Sequence, residues 1–258
     1  MRNRLAMNAL LLDPHLAELG LAWLLTYCRV QACVLSVPGF SARTLPARVR
    51  VALAMCLTPL LAEHARLAAP PDSLPGLALL CAAETVVGLV LGGMVRLFAL
   101  ALDIAASAIA ATASLSQLIG AESEYSPHPV GSLMHLAGLA LLMALGFPIL
   151  LCDLLRESFA LGPLGQWPAI ADLLPRVIAL VQRAFMLAML LAAPFILGGF
   201  LFQVLSGMVS KVMPALPVMF IAAPGAILMA LLALVLLTPS ILWVWADAVL
   251  AMMGNDLP

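Results

Sequence analysis

The chain has 258 residues, 64% of them hydrophobic and only 10% charged, with a net charge of −1 and a mean hydropathy of +1.13. A soluble domain carries about 25% charged residues, so this chain cannot cover its surface with them and needs lipid or a protein neighbour. The balanced charge, with no basic block, argues against nucleic acid as a partner. Cys28, Cys33, Cys56, Cys81 and Cys152 form no CxxC pair, and read as small core residues rather than a disulfide frame or a zinc site.

Arg2 and Arg4 precede a short apolar run, as in a signal peptide. Asp13 and Pro14 end that run without a small-residue cleavage pattern, and more apolar sequence follows, so a retained first segment is expected. Apolar segments then fall at 16–38, 49–69, 75–118, 132–152, 176–213 and 218–253. Each can form a helix of the ~20 residues that cross a ~30 Å hydrocarbon core. Alanine and leucine dominate, which favours helix, and no period-two alternation supports a barrel. The expected fold is all-α: an integral membrane protein of about six long hydrophobic helices forming hairpins, in one domain over 1–258. The third segment is too long for a single simple span.

Charges divide the chain. Up to Asp103 an ionisable residue interrupts the apolar sequence every dozen residues or so, whereas 184–210 and 212–246 are uncharged. A charge at a helix centre costs ~2.5–3.5 kcal/mol on insertion scales, so Glu84 and Arg96, inside one segment, should face protein or water. Arg2 and Arg4 draw the N-terminus to the cytoplasm, and Arg43, Arg48 and Arg50 draw the next loop there too. One intervening span cannot satisfy both, which suggests that some segments do not cross a bilayer in the ordinary way.

Glu84, Gly88, Gly92 and Arg96 recur every four residues, forming one slowly rotating row on a helix. The glycines permit close approach of a second helix, either as plain small-residue packing or as an intersubunit seam whose charges fix register. Arg96 and Asp103 share a face without needing to touch. The linking stretch 112–129 carries Glu122, Glu124 and, between two prolines, His128, too few ligands for a metal site even with His135. Gln203, Ser206 and Ser210 make a polar stripe ending at Lys211, fit to line a water path or to bond a neighbouring helix, and Pro194 should kink that helix. In GMVSKVMPALPVMFIAAPG, residues 207–225, a helix should end at Met213 and Pro214, turn through 215–217 and restart near Val218. Catalytic patterns of the G-x-S-x-G, H-E-x-x-H and P-loop kinds are missing, so no enzyme and no cofactor are expected.

Four blocks in chain order resemble the FliR family of type III secretion export-gate components. Arg29, Pro38, Ser41, Pro46, Arg48 and Arg50, in RVQACVLSVPGFSARTLPARVRVALA, are similar to its N-terminal signature. ETVVGLVLGG, from Glu84, resembles its E-x-x-x-G-x-x-x-G segment, and SFALGPLG, from Ser158, resembles its S-F-x-x-x-P-x-G turn. Gly207, Lys211, Pro214 and Pro224 fall at the spacings of its G-L-x-x-R-x-x-P block. Lys211 stands where that block has arginine, Ala215 where it has glutamine and Ala222 where it has glycine. In the linking stretch, Thr112 replaces a glutamine, and Glu122-Ser123 stands in place of an Asp-Pro.

The resemblance implies a non-enzymatic structural and gating subunit of the flagellar protein export channel, in the bacterial inner membrane at the basal body. Its implied partners are FliP-like and FliQ-like gate subunits, FlhB-like and FlhA-like components, and unfolded substrates in transit. It places a channel plug at 114–124, here Ser114, Leu115, Ser116, Gln117, Leu118, Ile119 and Gly120 onward. The injectisome counterpart shares this architecture. A secondary transporter would need internal repeats, and none is convincing.

Overall fold

The computed structural model describes residues 14–40, 45–65, 71, 73–112, 129–168, 170–212 and 218–256. These form α1 (Pro14–Ser36), α2 (Ala47–Ala62), α3 (Leu74–Thr112), α4 (Pro129–Ala144), α5 (Phe147–Leu161), α6 (Ile170–Val212) and α7 (Val218–Ala251), closed by a π-helical turn at Met252–Asp256. No β-strand occurs among the described residues, so the all-α expectation holds. Four helices are long and apolar enough to cross a membrane, or five if α4 and α5 count as one broken span.

The expected apolar segments map onto these helices with one difference. The segment 132–152 contains a break, with α4 stopping at Ala144 and α5 starting at Phe147. Gly146 there has φ +88°, a left-handed conformation that ends helices and that side chains with a Cβ resist. The amide N–H groups of Leu145 and Gly146 donate to the carbonyls of Leu141 and Met143, closing the last turn of α4. Pro148 follows in the first turn of α5, where a missing N–H costs nothing. Elsewhere α6 ends at Val212 and α7 begins at Val218, as the proline spacing requires. The helix α6 runs on through Pro194, and α7 through Pro224 and Pro239.

Two compact units divide the chain. The first comprises Met1–Arg96, Pro148–Ile178 and Met252–Pro258, and the second Leu97–Phe147 and Ala179–Ala251. In the first unit α1 packs on α2. It also lies against the first half of α3, where Gly88 meets Arg29 and Ala32 and Gly92 meets Cys33 and Ser36. Both numbers rise together, so α1 and α3 run parallel. A Cβ at Gly88 would overlap the Arg29 carbonyl oxygen, and one at Gly92 would lie 2.7 Å from the Cys33 carbonyl oxygen. Only glycine lets the two backbones come so near.

In the second unit α4 packs on α7. Gly138 of α4 leaves room for Leu102 of α3 and Trp245 of α7: a Cβ there would lie 2.6 Å from one and 2.9 Å from the other. The indole Nε1–H of Trp245 donates to the Phe98 carbonyl at 2.8 Å, pairing the one polar atom of a fully buried ring. Along α6, Leu180, Ala184, Ala188, Leu191, Ala192 and Phe195 form a single buried stripe at helical spacing. Past Phe195 the stripe stops, and no residue from Ile196 to Val212 is buried.

Candidate functional site

In the first unit a guanidinium and a carboxylate share a site with almost no solvent. Arg29 of α1 is 1% exposed and Glu84 of α3 is fully buried. The Arg29 Nε donates to Glu84 Oε2 at 2.6 Å. An uncompensated ion here would be very costly, and both terminal nitrogens find acceptors as well. Nη1 donates to the Ser158 carbonyl at 2.9 Å, to Ser158 Oγ at 3.3 Å and to the Gly162 carbonyl at 3.4 Å. Nη2 donates to the same Gly162 carbonyl at 3.3 Å. The guanidinium carbon also sits 4.4 Å from the centre of the Phe159 ring, within cation–π range.

The second carboxylate oxygen completes the node. Glu84 Oε1 accepts the backbone N–H of Gly165 at 2.7 Å. Gly165 has φ +86°, and a Cβ there would lie 2.7 Å from Leu80 Cδ2, so both conformation and space favour glycine. The pair thus holds the end of α5 and the turn after it through the Ser158 and Gly162 carbonyls and the Gly165 amide, the Ser158 carbonyl also accepting the Gly162 N–H at 3.2 Å. Planar, forked donors suit this task, which an ammonium could not perform. The chemistry on offer is positional: the charged groups of the node are spent on each other and on backbone groups of α5 and the turn after it. Among the described residues no group of three or more metal-ligating side chains occurs.

The site residues expected from sequence are distributed as follows. Arg29, Glu84, Gly88 and Gly92 come together on the α1–α3 contact, with Ser158, Phe159, Gly162 and Gly165 completing the node. The helix that fills the glycine row is the chain's own α1, which corrects the intersubunit seam at those glycines. Arg96 is exposed on the single chain, and the cation for Glu84 is Arg29. Pro38 is buried in the turn after α1. Pro46 precedes α2 in extended conformation, and Arg50 donates to the Leu45 carbonyl beside it at 2.8 Å, while Arg48 is exposed.

The fourth block lies elsewhere. Gln203, Gly207 and Lys211 are exposed on α6, and Ser210 Oγ donates to the Gly207 carbonyl of its own helix at 2.8 Å. Lys211 is in the last turn of α6, where it offsets the negative end of the helix. Pro224 lies exposed in α7. Pro214 and the candidate plug residues 114–120 fall outside the described residues.

Sequence reasoning missed the pairing of Arg29 with Glu84, which are 55 positions apart. The available signal was two opposite charges, each stranded in an apolar helix and each needing a partner. It also missed the 2.9 Å contact of His135 with Asp103, and the Phe98–Trp245 bond, for which the polar Nε1 of a tryptophan in an apolar helix was the only cue.

Two comparisons bear on identity. The family model for bacterial export proteins, family 1, matches residues 21–252. The flagellar biosynthetic protein FliR of Caulobacter vibrioides is 30% identical over 227 residues, covering 86% of this chain and 90% of that protein. Three of the four signature blocks meet at the buried node or its glycine contact, and the matches run almost end to end: the chain belongs to the FliR family of bacterial export proteins.

Proposed function

We propose that this protein is a structural and gating subunit of the flagellar type III protein export channel in the bacterial inner membrane, acting without catalysis or cofactor. The observation that carries the reading is the length of α6. Exposed apolar side chains run along it from Leu174 to Val212. That is about 57 Å at 1.5 Å per residue, against a hydrocarbon core of ~30 Å. Lipid can cover about half of such a face, and the rest needs protein. FliP-like and FliQ-like subunits are the natural cover, with FlhB-like and FlhA-like components beyond them and unfolded substrates passing through the assembly.

Family membership supports the export role, and the printed name of the Caulobacter relative favours the flagellar system over the injectisome. The Arg29–Glu84 node gives the first unit a fixed shape on which partners can assemble. Residues 114–120 would serve as the plug. The decisive experiment is to isolate the tagged chain in mild detergent and identify by mass spectrometry what accompanies it. Co-purification of the gate subunits supports the reading, and a stable monomer with no companions overturns it. For the plug, deleting 116–121 should make assembled complexes leak ions or small solutes; unchanged permeability removes that role.

A further inference from the structure

Three ionisable residues, Glu84, Arg96 and Asp103, interrupt the apolar stretch of α3 from Leu74 to Ile109. Two of them are matched inside the chain. Glu84 holds Arg29 at 2.6 Å, and Asp103 meets His135 Nδ1 at 2.9 Å. Arg96 is the remainder: it is exposed, and among the described residues it makes no hydrogen bond or ion pair. A guanidinium keeps its charge in any setting, and lipid tails offer it no counterpart.

The surface leading to Arg96 has the form of a helix seam. Leu79, Ala82, Val86, Leu89, Gly93 and Arg96 follow alternating steps of three and four. That is the 3.5-residue repeat along which a second helix packs its side chains. The row lies on the far side of α3 from Glu84, Gly88 and Gly92, which α1 covers. Leu79 and Leu89 are about half exposed, and Gly93 has open space where a Cβ would stand. A helix backbone can therefore come close within one turn of the cation, as α1 does at Gly88, one turn from Glu84. A lipid headgroup needs neither the recess nor the repeat. We propose that this row docks a helix of another subunit, and that the helix carries an aspartate or glutamate opposite Arg96. The forked donors suit a carboxylate held in one geometry. Such a pair sets register: a helix displaced by one turn leaves the guanidinium against apolar side chains.

The inference rests on the reading of this protein as one subunit of an export assembly. It is tested on the full chain with its companions, using the photo-reactive variant Leu89→p-benzoylphenylalanine and mass spectrometry of the adduct. The expected adduct is on an apolar helix of a companion, with an aspartate or glutamate ~10 Å further along, the rise of the seven residues from Leu89 to Arg96. Arg96→Glu should then cut recovery of that companion ~10-fold or more, as like charges meet at the seam. The melt of the isolated chain should not move, because Arg96 has no partner within it. Reversing the companion's carboxylate to arginine should restore recovery, and Arg96→Lys should keep part of it. Arg96→Gln serves if the charge reversal does not accumulate. An adduct on phospholipid, on this chain or on a helix without a carboxylate overturns the inference, as does normal recovery in both Arg96→Glu and Arg96→Gln. An unaltered chain that brings no companions removes the export reading and this inference together. Companions that stay with both Arg96 variants remove this inference alone.

Discussion

The two units of this protein treat an apolar sequence in opposite ways. In the first, 44% of the most apolar stretch of α1 is buried within the chain. Its internal contacts are closed by paired charges and bare glycine backbones. In the second, the corresponding shares are 22% for α6 and 11% for α7, and their exposed faces carry long uncharged runs. Charge density and self-burial therefore go together. A helix meant for an internal neighbour can carry a buried ion if a partner ion is fixed opposite. A helix whose face is left uncovered cannot, because lipid or a partner subunit offers no compensating charge by default.

The sharpest way to break this contrast is at the node. Glu84→Ala leaves the Arg29 guanidinium buried without its carboxylate and frees the Gly165 amide. Loss of about 3–5 kcal/mol is expected, the range for an orphaned buried charge, and should appear as collapse of folded yield and of thermal midpoint in detergent. The double change Arg29→Met with Glu84→Leu should recover much of that loss, since neither charge then remains. If the single change is silent, the node does not organise the first unit.

Next in size is Gly88→Ala. Its new methyl meets the Arg29 carbonyl, a backbone atom that cannot swing aside, so α1 and α3 must separate. Overpacking of this kind costs about 1–3 kcal/mol, measured by the same melts, and the loss should be visible in the isolated chain before any partner is added. A normal melt with defective co-purification would return the glycine row to the role of an intersubunit surface. In the second unit, Trp245→Phe keeps the ring but removes the donor to Phe98. About 1 kcal/mol should be lost, the worth of one net hydrogen bond.

Much of this was legible in the sequence, and what was not has a physical cause. Helix ends at Val212 and Val218 follow from Pro214 and Pro217, because proline acts locally on the backbone. The break at Gly146 was hidden because a glycine inside an apolar run reads equally as packing or as a left-handed stop. Close approach at Gly88 and Gly92 was readable from four-residue spacing, yet spacing on one helix cannot say which helix arrives. That information sits in Arg29, Ala32, Cys33 and Ser36, nearly sixty positions away. Arg96 shows the same limit: a charge in an apolar segment signals a need for a partner or water, and its position on one helix does not say which.

The smallest expected effect on the chain itself separates the units most cleanly. Gly207 on α6 has nothing within 4 Å of a built Cβ, whereas Gly88 has a backbone in its place. In an isolated helix, replacing an exposed interior glycine by alanine gains up to ~1 kcal/mol through reduced backbone entropy. Gly207→Ala should therefore leave the melt of the purified chain unchanged or slightly raised, while Gly88→Ala lowers it. Any defect of Gly207→Ala must then arise outside the chain, where the polar stripe of Gln203 and Ser206 meets a neighbour. Impaired co-purification with an intact melt would place a close helix contact at Gly207. An intact assembly would assign that face to lipid or to open water, and a lowered melt would mean that α6 is covered within the chain after all.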